Sequence, residues 1–264
     1  MSGLDATASI ERCQMLSILL PVRNEGINLR IMLKILRAVV DEPHEVLVVY
    51  DSAEDDSVPV VEEVRRNYSE LRGVQNSLGR GVVNAIRAGV LAAQGDVILI
   101  FAADEVGPVL AIEDMIALIR EGCDFVSCTR YAHGGRRLGG SMIGAILSYC
   151  ANWLFHRLCS CPLTDATTGI KMFRKEIFPL LKLESPPIGW TVAFEMAIKA
   201  QHAGLRLGEV PIVSIDRLYG GESTFKVGPW VIEYSRWFFW GMRAASKNRK
   251  ATRTATVKIP SFYR

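Results

Sequence analysis

With 264 residues and 49% hydrophobic side chains, the chain has room for one large domain or two small ones and enough apolar material for a well-buried core, which excludes a largely disordered protein. Its 31 lysines and arginines against 28 aspartates and glutamates leave a formal charge of +3, too small at this length to argue for nucleic acid as a partner. Six cysteines (Cys13, Cys123, Cys128, Cys150, Cys159, Cys161) without a Cys-x-x-Cys pair, and an opening with no charged-then-apolar leader, predict a reduced, cytosolic setting.

Residues 1–14 are polar and rich in small side chains, as expected of a mobile tail. Leu16 to Leu20 is a short apolar run that stops at Pro21, the pattern of a buried strand. Asn24 is placed to cap a helix from about Glu25 to Val39 that carries Ile27, Ile31, Leu33, Ile35 and Leu36 with basic Arg30, Lys34 and Arg37. Glu45 to Tyr50 reads as a second strand, Ser57 to Asn67 as a second helix and Val74 to Asn76 as a weak third strand. The glycine-rich Gly79-Arg80-Gly81 precedes a helix from Val82 to Ala93, and Gly95-Asp96 turns the chain into a strand from Val97 to Phe101. A helix from Val109 to Glu121 and a strand from Phe125 to Thr129 follow. This alternation predicts an α/β fold with a mostly parallel sheet flanked by helices and right-handed crossovers.

Beyond Arg130 the segment Tyr131 to Gly140 mixes glycine, histidine and arginine. Its glycines let backbone approach a ligand and Arg136 and Arg137 are suited to an anion, although a solvated basic loop has the same composition. A long apolar helix follows, then Thr164 to Phe173 leading into a further helical part, and a late strand from Val210 to Ile215. No run approaches the ~18 to 20 apolar residues of a membrane-crossing helix. The stretch Trp230 to Arg243 combines three Trp, a Tyr and two Phe with Glu233, Arg236 and Arg243, which suits a helix lying in a membrane interface. A core-packing amphipathic helix, or a contact with a second copy or a membrane protein, explains the same mixture. The expected organisation is a single domain over 15–228, this amphipathic helix over 229–246 and a basic tail over 247–264. Cys159 and Cys161, one residue apart, read as small buried thiols before they read as metal or redox ligands.

Three predicted strands end in ionisable side chains: Pro21-Val22-Arg23-Asn24-Glu25, Tyr50-Asp51-Ser52 and Phe101-Ala102-Ala103-Asp104-Glu105. Such ends gather at the carboxyl edge of a parallel sheet, where open α/β folds bind ligands, so an enzyme is expected. In this order, and with Asp216-Arg217 to Gly221-Glu222-Ser223 closing the set, the segments resemble family 2 glycosyltransferases of GT-A type. Within these they resemble the polyprenol-phosphate sugar synthases typified by dolichol-phosphate mannose synthase. The likeness runs from Ser17 to Val227.

The resemblance implies roles residue by residue. Pro21, Arg23 and Glu25 fall on the Pro-x-x-Asn-Glu segment that lines the nucleotide pocket. Asp51 falls in the family's Asp-Asp-Gly-Ser-x-Asp, whose first aspartate is Tyr50 here, and a carboxylate at that place accepts hydrogen bonds from a base edge. Arg80 fills the Gly-Lys-Gly position, where a cation meets the nucleotide or its phosphates. The metal-binding Asp-x-Asp falls on Ala102-Ala103-Asp104, so Asp104, helped by Glu105, is the implied ligand of Mg2+ or Mn2+. Arg130, Arg136, Arg137, Arg217, Ser223 and Lys226 are the implied acceptor-phosphate contacts, with Asp104, Arg130 and Arg217 as the catalytic set. Lys171 stands where the family has arginine. The implied reaction is inverting, metal-assisted transfer of a sugar from GDP-mannose or a UDP-sugar to a polyprenyl phosphate, by a cytoplasmic protein held at the inner face of the membrane. Two other readings stay open. One is transfer to a saccharide or small-molecule hydroxyl, with Asp165 or Glu195 as base, and the other is a nucleotide-sugar-binding protein without catalysis.

Overall fold

The protein is described here from a computed structural model that covers residues 15–139, 142–187, 189–215, 227–247 and 250–261. In chain order the first half comprises β1 (Leu16–Pro21), α1 (Gly26–Val39), β2 (His44–Tyr50), α2 (Ser57–Val64), β3 (Leu71–Gln75), α3 (Val82–Ala92), β4 (Val97–Ile100), α4 (Ile112–Arg120) and β5 (Phe125–Thr129). The second half comprises β6 (Arg136–Leu138), α5 (Met142–Leu158), β7 (Lys171–Arg174), α6 (Phe178–Leu181), α7 (Thr191–His202), β8 (Leu207–Pro211), β9 (Val213–Ile215), α8 (Val227–Lys247) and β10 (Ala255–Val257).

Eight strands form one sheet in the order β10-β8-β5-β7-β4-β1-β2-β3, and β6 pairs with β9 in a separate ribbon. Every neighbour pair in the large sheet is parallel except those of β7, which runs antiparallel between β4 and β5. Mostly apolar runs such as Leu16–Leu20, with Ser17 the one polar residue, and Val46–Val49 are the expected composition of strands buried on both faces. Successive side chains divide between the faces: Ile18, Leu20, Val46, Val48 and Leu99 join one core with α1, α2 and α4. Leu19, Leu47, Val49, Ile98 and Ile100 join a second core with α3, α5, α7 and α8. Each fully buried Leu, Ile or Val contributes about 1.5–3 kcal/mol, so these strands anchor the layered fold.

From β1 the chain steps outward to β2 and β3, then crosses back to lay β4 on the other side of β1. The strand order therefore reverses between β1 and β4, and ligands of open α/β sheets sit in the crevice outside such a point. This crevice is flanked by the Pro21 and Phe101 segments.

Several local expectations are revised. The Val109–Glu121 helix starts later, because Pro108 sits in a 3-10 turn over Gly107–Ala111 ahead of α4. The single late strand is two, β8 and β9, which belong to different sheets. The segment read as a basic tail supplies β10, an edge strand parallel to β8. Trp237, expected in an interface-facing aromatic helix, is 1% exposed and packs into the second core, so α8 turns one aromatic face inward. No helix among the described residues is long and apolar enough to cross a membrane. Residues 1–14, Arg217, Ser223 and Lys226 lie outside the described residues.

Candidate active site

At the end of β1 the backbone continues its ladder once more, with Val22 N donating to Val49 O at 2.9 Å, and then turns away from the sheet. Asn24 does not cap α1: its φ is +54° and its side chain makes no cap bond. The orphan N–H groups of that helix start are met from the next loop instead. Asn24 N donates to Asp55 Oδ2 at 3.0 Å, Glu25 N to Ser57 Oγ at 3.2 Å and Gly26 N to Asp56 Oδ1 at 2.9 Å. Unpaired N–H groups at a helix N-terminus must find such acceptors, so Asp55 and Asp56 brace the first loop. Arg23 is left exposed and Glu25 partly exposed, its Oε2 accepting from Asn28 Nδ2 at 2.7 Å.

At the end of β2, Asp51 accepts from Asn76 Nδ2 at 2.8 Å and from Gly81 N at 3.2 Å. Asn76 Nδ2 also donates to Gly79 O at 2.7 Å. The carboxylate thus ties the β2 end to the Gly79-Arg80-Gly81 loop after β3, and Arg80 stands exposed on that loop. Pro21, Asp51 and Arg80 are brought to one edge, as their strand positions require.

Across the switch point, Phe101 N extends the β4 ladder to Leu19 O at 3.0 Å and the chain leaves the sheet at Ala102. Asp104 and Glu105 are partly exposed there, and Ser214 Oγ donates to Glu105 Oε2 at 3.3 Å. β9 runs hard against this loop: a Cβ on Gly107 would lie 2.1 Å from Val213 O, so only glycine permits the approach. Through β9 the ribbon brings β6 alongside, with Arg136 opposite Val213 and Arg137 opposite Ser214. Arg136 is exposed and Arg137 partly exposed. Ser214 is thus a link between the arginine strand and the carboxylate loop.

Among the described residues no three His, Cys, Asp or Glu side chains gather to hold a metal by themselves. Asp104 and Glu105 offer hard oxygens only, which fits Mg2+ or Mn2+ completed by phosphate oxygens and water and does not fit a closed all-protein cage. Cys159 and Cys161 are buried, and burial pushes both thiols up to about 12, the state of inert core residues.

Arg130 is placed differently from the expectation. The guanidinium assigned to an acceptor anion is 9% exposed and forked onto Asp165, with Nε to Oδ2 at 2.7 Å and an NH2 to Oδ1 at 3.1 Å. That occupies its bidentate edge, so Arg130 braces the start of the arginine loop and does not present its fork to a ligand. Asp165 is fully buried, and its oxygens also accept from Asn152 Nδ2 at 3.0 Å, Thr167 N and Thr168 N at 3.2 Å each, and Arg130 N at 3.2 Å. Burial alone would raise its pKa, but the Arg130 charge and these donors outweigh it and hold the carboxyl below its usual range. Lys171, on β7, is also buried and donates to Ser127 Oγ at 2.7 Å, and burial pulls its pKa down to about 8. Glu195 is buried too, accepting from Glu184 N at 2.5 Å and Ser185 N at 2.8 Å and pairing with Lys199 at 2.7 Å. Sequence reasoning missed Asn152 and Ser148, which hydrogen-bond to Thr167 beneath Arg130. Their signal was available as a polar pair at i, i+4 on an otherwise apolar helix.

Glu209 completes this network from β8, accepting from Thr164 N at 2.8 Å and Asp165 N at 3.2 Å. Burial pushes its pKa up to about 7 despite those bonds. A carboxyl with a raised folded pKa stabilises most below its unfolded pKa, and the contribution is lost as pH rises through the folded value. The contribution of Glu209 to thermal stability is therefore expected to decline between about pH 4.5 and 7, the interval bounded by its usual and folded values. Glu209→Gln, isosteric with the protonated acid, should flatten that decline; an unchanged slope in a pH series of melting temperatures would assign it to other groups.

Comparison with known proteins follows the same line. The Glycosyl transferase family 2 model matches residues 17–180. A dolichol-phosphate mannosyltransferase of Pyrococcus furiosus is 27% identical over 236 residues, covering 83% of this chain and 61% of that protein. Glycosyltransferase AglD of Haloferax volcanii is 25% identical over 210 residues, 74% of this chain and 32% of that protein, so the chain spans roughly a third to three fifths of these relatives. Among solved structures, glucosyl-3-phosphoglycerate synthase of Mycobacterium tuberculosis with Mn2+, UDP and glucosyl-3-phosphoglycerate superposes with a TM-score of 0.63 at 16% identity, covering 98% of this chain and 94% of that one. The mannosyltransferase PcManGT of Pyrobaculum calidifontis with GDP-Man and Mn2+ gives 0.62 at 17% identity, covering 92% and 67%. The mostly parallel GT-A sheet expected from the sequence is borne out by these likenesses. With the loops after β1, β2 and β4 gathered at one edge of that sheet, and the family pattern running through all of them, the chain belongs to glycosyl transferase family 2.

Proposed function

We propose that this glycosyltransferase moves a sugar from a nucleotide-sugar, GDP-mannose or a UDP-sugar, to a polyprenyl phosphate with inversion. The observation that carries the reading is the β6–β9 ribbon, which sets Arg136 and Arg137 next to the Asp104–Glu105 loop. Cations for an anionic acceptor and carboxylates for the donor's leaving group then share one crevice. The names of the Pyrococcus relative and of the GDP-Man-bound mannosyltransferase support the same donor and acceptor classes.

Asp51 and the Arg80 loop hold the nucleotide in this reading, with Pro21, Arg23 and Glu25 along its base and ribose. Asp104, helped by Glu105, would hold Mg2+ or Mn2+, which when bound neutralises charge on the departing diphosphate. A phosphate monoester has its second pKa near ~6, so the acceptor arrives already ionised and needs no general base. That matches the state of Asp165 and Glu195, the two carboxylates offered as bases, whose oxygens are taken up by buried donors. Arg136 and Arg137, with Arg217, Ser223 and Lys226 by sequence position, orient the nucleophilic oxygen; catalysis is chiefly electrostatic positioning.

Exposed apolar side chains support an acceptor delivered from a lipid surface. Met142, Ile146, Tyr149 and Trp153 on α5 recur at helical spacing along one stripe, and Ile232 and Phe239 lie exposed on α8. The domain boundaries in this proposal are a transferase unit over 15–228 and an interface helix over 229–246.

The test is transfer of radiolabel from GDP-mannose, UDP-glucose or UDP-N-acetylglucosamine into organic solvent, with and without a short polyprenyl phosphate and with Mn2+ or Mg2+. Label in the organic phase that depends on both lipid phosphate and metal is the expected result. Nucleotide binding with label only in water-soluble product would point to a hydroxyl acceptor, and binding with no transfer to a protein without catalysis.

A further inference from the structure

The connection from α6 to α7 makes contacts that neither the core nor the reaction outlined above accounts for. Gly81, the last residue of the Arg80 loop, has φ +115°, and a Cβ placed on it would lie 2.5 Å from Pro187 Cβ and 2.9 Å from Pro187 O. Pro187 therefore rests directly on the loop that carries Arg80, which lies far earlier in the chain. Proline's fixed φ makes it a stiff piece to set there.

The segment behind Pro187 is fastened on two sides. Arg87, on the helix that follows the Arg80 loop, donates to Leu183 O at 2.6 Å. Ser185 is buried, its N–H donating to Glu195 Oε2 at 2.8 Å and its Oγ accepting from Trp237 Nε1 at 2.9 Å. Lys199 locks Glu195 at 2.7 Å and stands 5.1 Å from the centre of the Trp237 ring. One face of the Arg80 loop is thus tied to Asp51 by the Gly81 N–H, and the other is pressed by Pro187. Pro187 itself is exposed, and from it the backbone leads through Pro186 to Ser185, whose Oγ bond to Trp237 reaches the inner face of α8.

We infer that Pro187 is a positioning residue for nucleotide binding: held by Ser185, Glu195 and Trp237, it clamps the Gly79-Arg80-Gly81 loop so that Arg80 meets the diphosphate of the donor. The inference rests on the reading of Arg80 as a nucleotide contact. It also makes α8, the helix that follows the acceptor-side segment, a mechanical support of the donor side.

The experiment measures binding of GDP and of UDP, each with Mn2+, by titration calorimetry to the full chain and its variants. Pro187→Ala is expected to weaken nucleotide binding about tenfold, the scale of one charge-assisted hydrogen bond, with the melting temperature unchanged. Trp237→Phe, which keeps an aromatic side chain but trims the buried indole and removes its N–H, should act in the same direction by a smaller factor, and a second Ser185→Ala variant reports on the same bond if Trp237→Phe folds poorly. Arg80→Ala should weaken binding at least as much, and adding Pro187→Ala to it should cost nothing further, because both act through one guanidinium. Equal binding by Pro187→Ala and wild type overturns the clamp while leaving Arg80 as a contact. Additive losses in the double variant overturn action through Arg80. An Arg80→Ala variant that binds normally overturns both the contact and the clamp.

Discussion

Asp165→Ala is expected to destabilise the protein by about 3–5 kcal/mol, the range for removing one partner of a buried ion pair. Domains of this kind have a total stability of only about 5–15 kcal/mol, so little of the variant should resist moderate denaturant. The loss has two parts. Arg130 would be left as a buried cation without its counter-charge. In addition the N–H groups of Arg130, Thr167 and Thr168 would lose their acceptor in a place water does not reach easily. Asp165→Asn keeps the shape and one acceptor oxygen, so it should cost less. A double variant, Arg130→Met with Asp165→Ala, removes the orphaned charge but not the orphaned N–H groups, so it should recover only part of the loss. The sign with pH follows from the lowered folded pKa of Asp165: its contribution is present above the ordinary aspartate range and is lost as pH falls through the folded value. Urea midpoints of these variants decide the matter, and an Asp165→Ala midpoint equal to wild type would show that the network is not what holds β5, α5 and the β7 approach together.

This network also marks where reading the sequence stopped working. β1, β2 and β5 were legible because strands covered on both faces are written mostly in apolar residues, and a single residue such as Pro21 ends β1 visibly. β7 was not, because Lys171 stands among its apolar residues, and nothing local says that its ammonium will find Ser127 on a strand 44 positions earlier. β6 and β10 are three residues each and exist through their pairing partners, so no period of two could reveal them, whereas β9 fell inside the strand expected over Val210 to Ile215 and only its break from β8 was missed. The same contrast holds at the site. Asp51, Arg80 and Asp104 could be placed at one edge because each lies just after a strand end, and strand ends of a parallel sheet converge. Arg130 follows a strand end too, yet its fork belongs to Asp165, 35 residues later. Position near an edge is a local property and freedom to bind is a tertiary one, which is why the second could not be read from the first.

Asp104→Asn is expected to lower turnover about a thousandfold, the equivalent of roughly 4 kcal/mol of transition-state stabilisation. The change preserves size but removes the negative charge and replaces one carboxylate oxygen by an NH2 donor, so the loss reports on Asp104 as an anionic oxygen ligand. Asp104 is placed beside the β1–β4 switch point and partly exposed, so the substitution should leave the melting temperature near wild type. Two neighbours sharpen the test. Glu105→Gln should have a smaller effect, because Glu105 Oε2 is already engaged by Ser214 and serves to hold β9 against the loop. Ala102→Asp restores the first carboxylate of the family pattern at a partly exposed position two residues from Asp104, which should tighten Mn2+ binding to the nucleotide-free protein. A site with one principal carboxylate relies on phosphate oxygens for the rest of its shell, so in the wild type Mn2+ binding should strengthen sharply when GDP or UDP is added. Calorimetry or electron paramagnetic resonance with Mn2+, with and without nucleotide, reads this independently of turnover. Turnover and nucleotide-linked Mn2+ affinity that both survive Asp104→Asn would place the cation on other residues of the crevice. Lost turnover with intact Mn2+ affinity would keep Asp104 in the mechanism but assign it to the sugar or the acceptor.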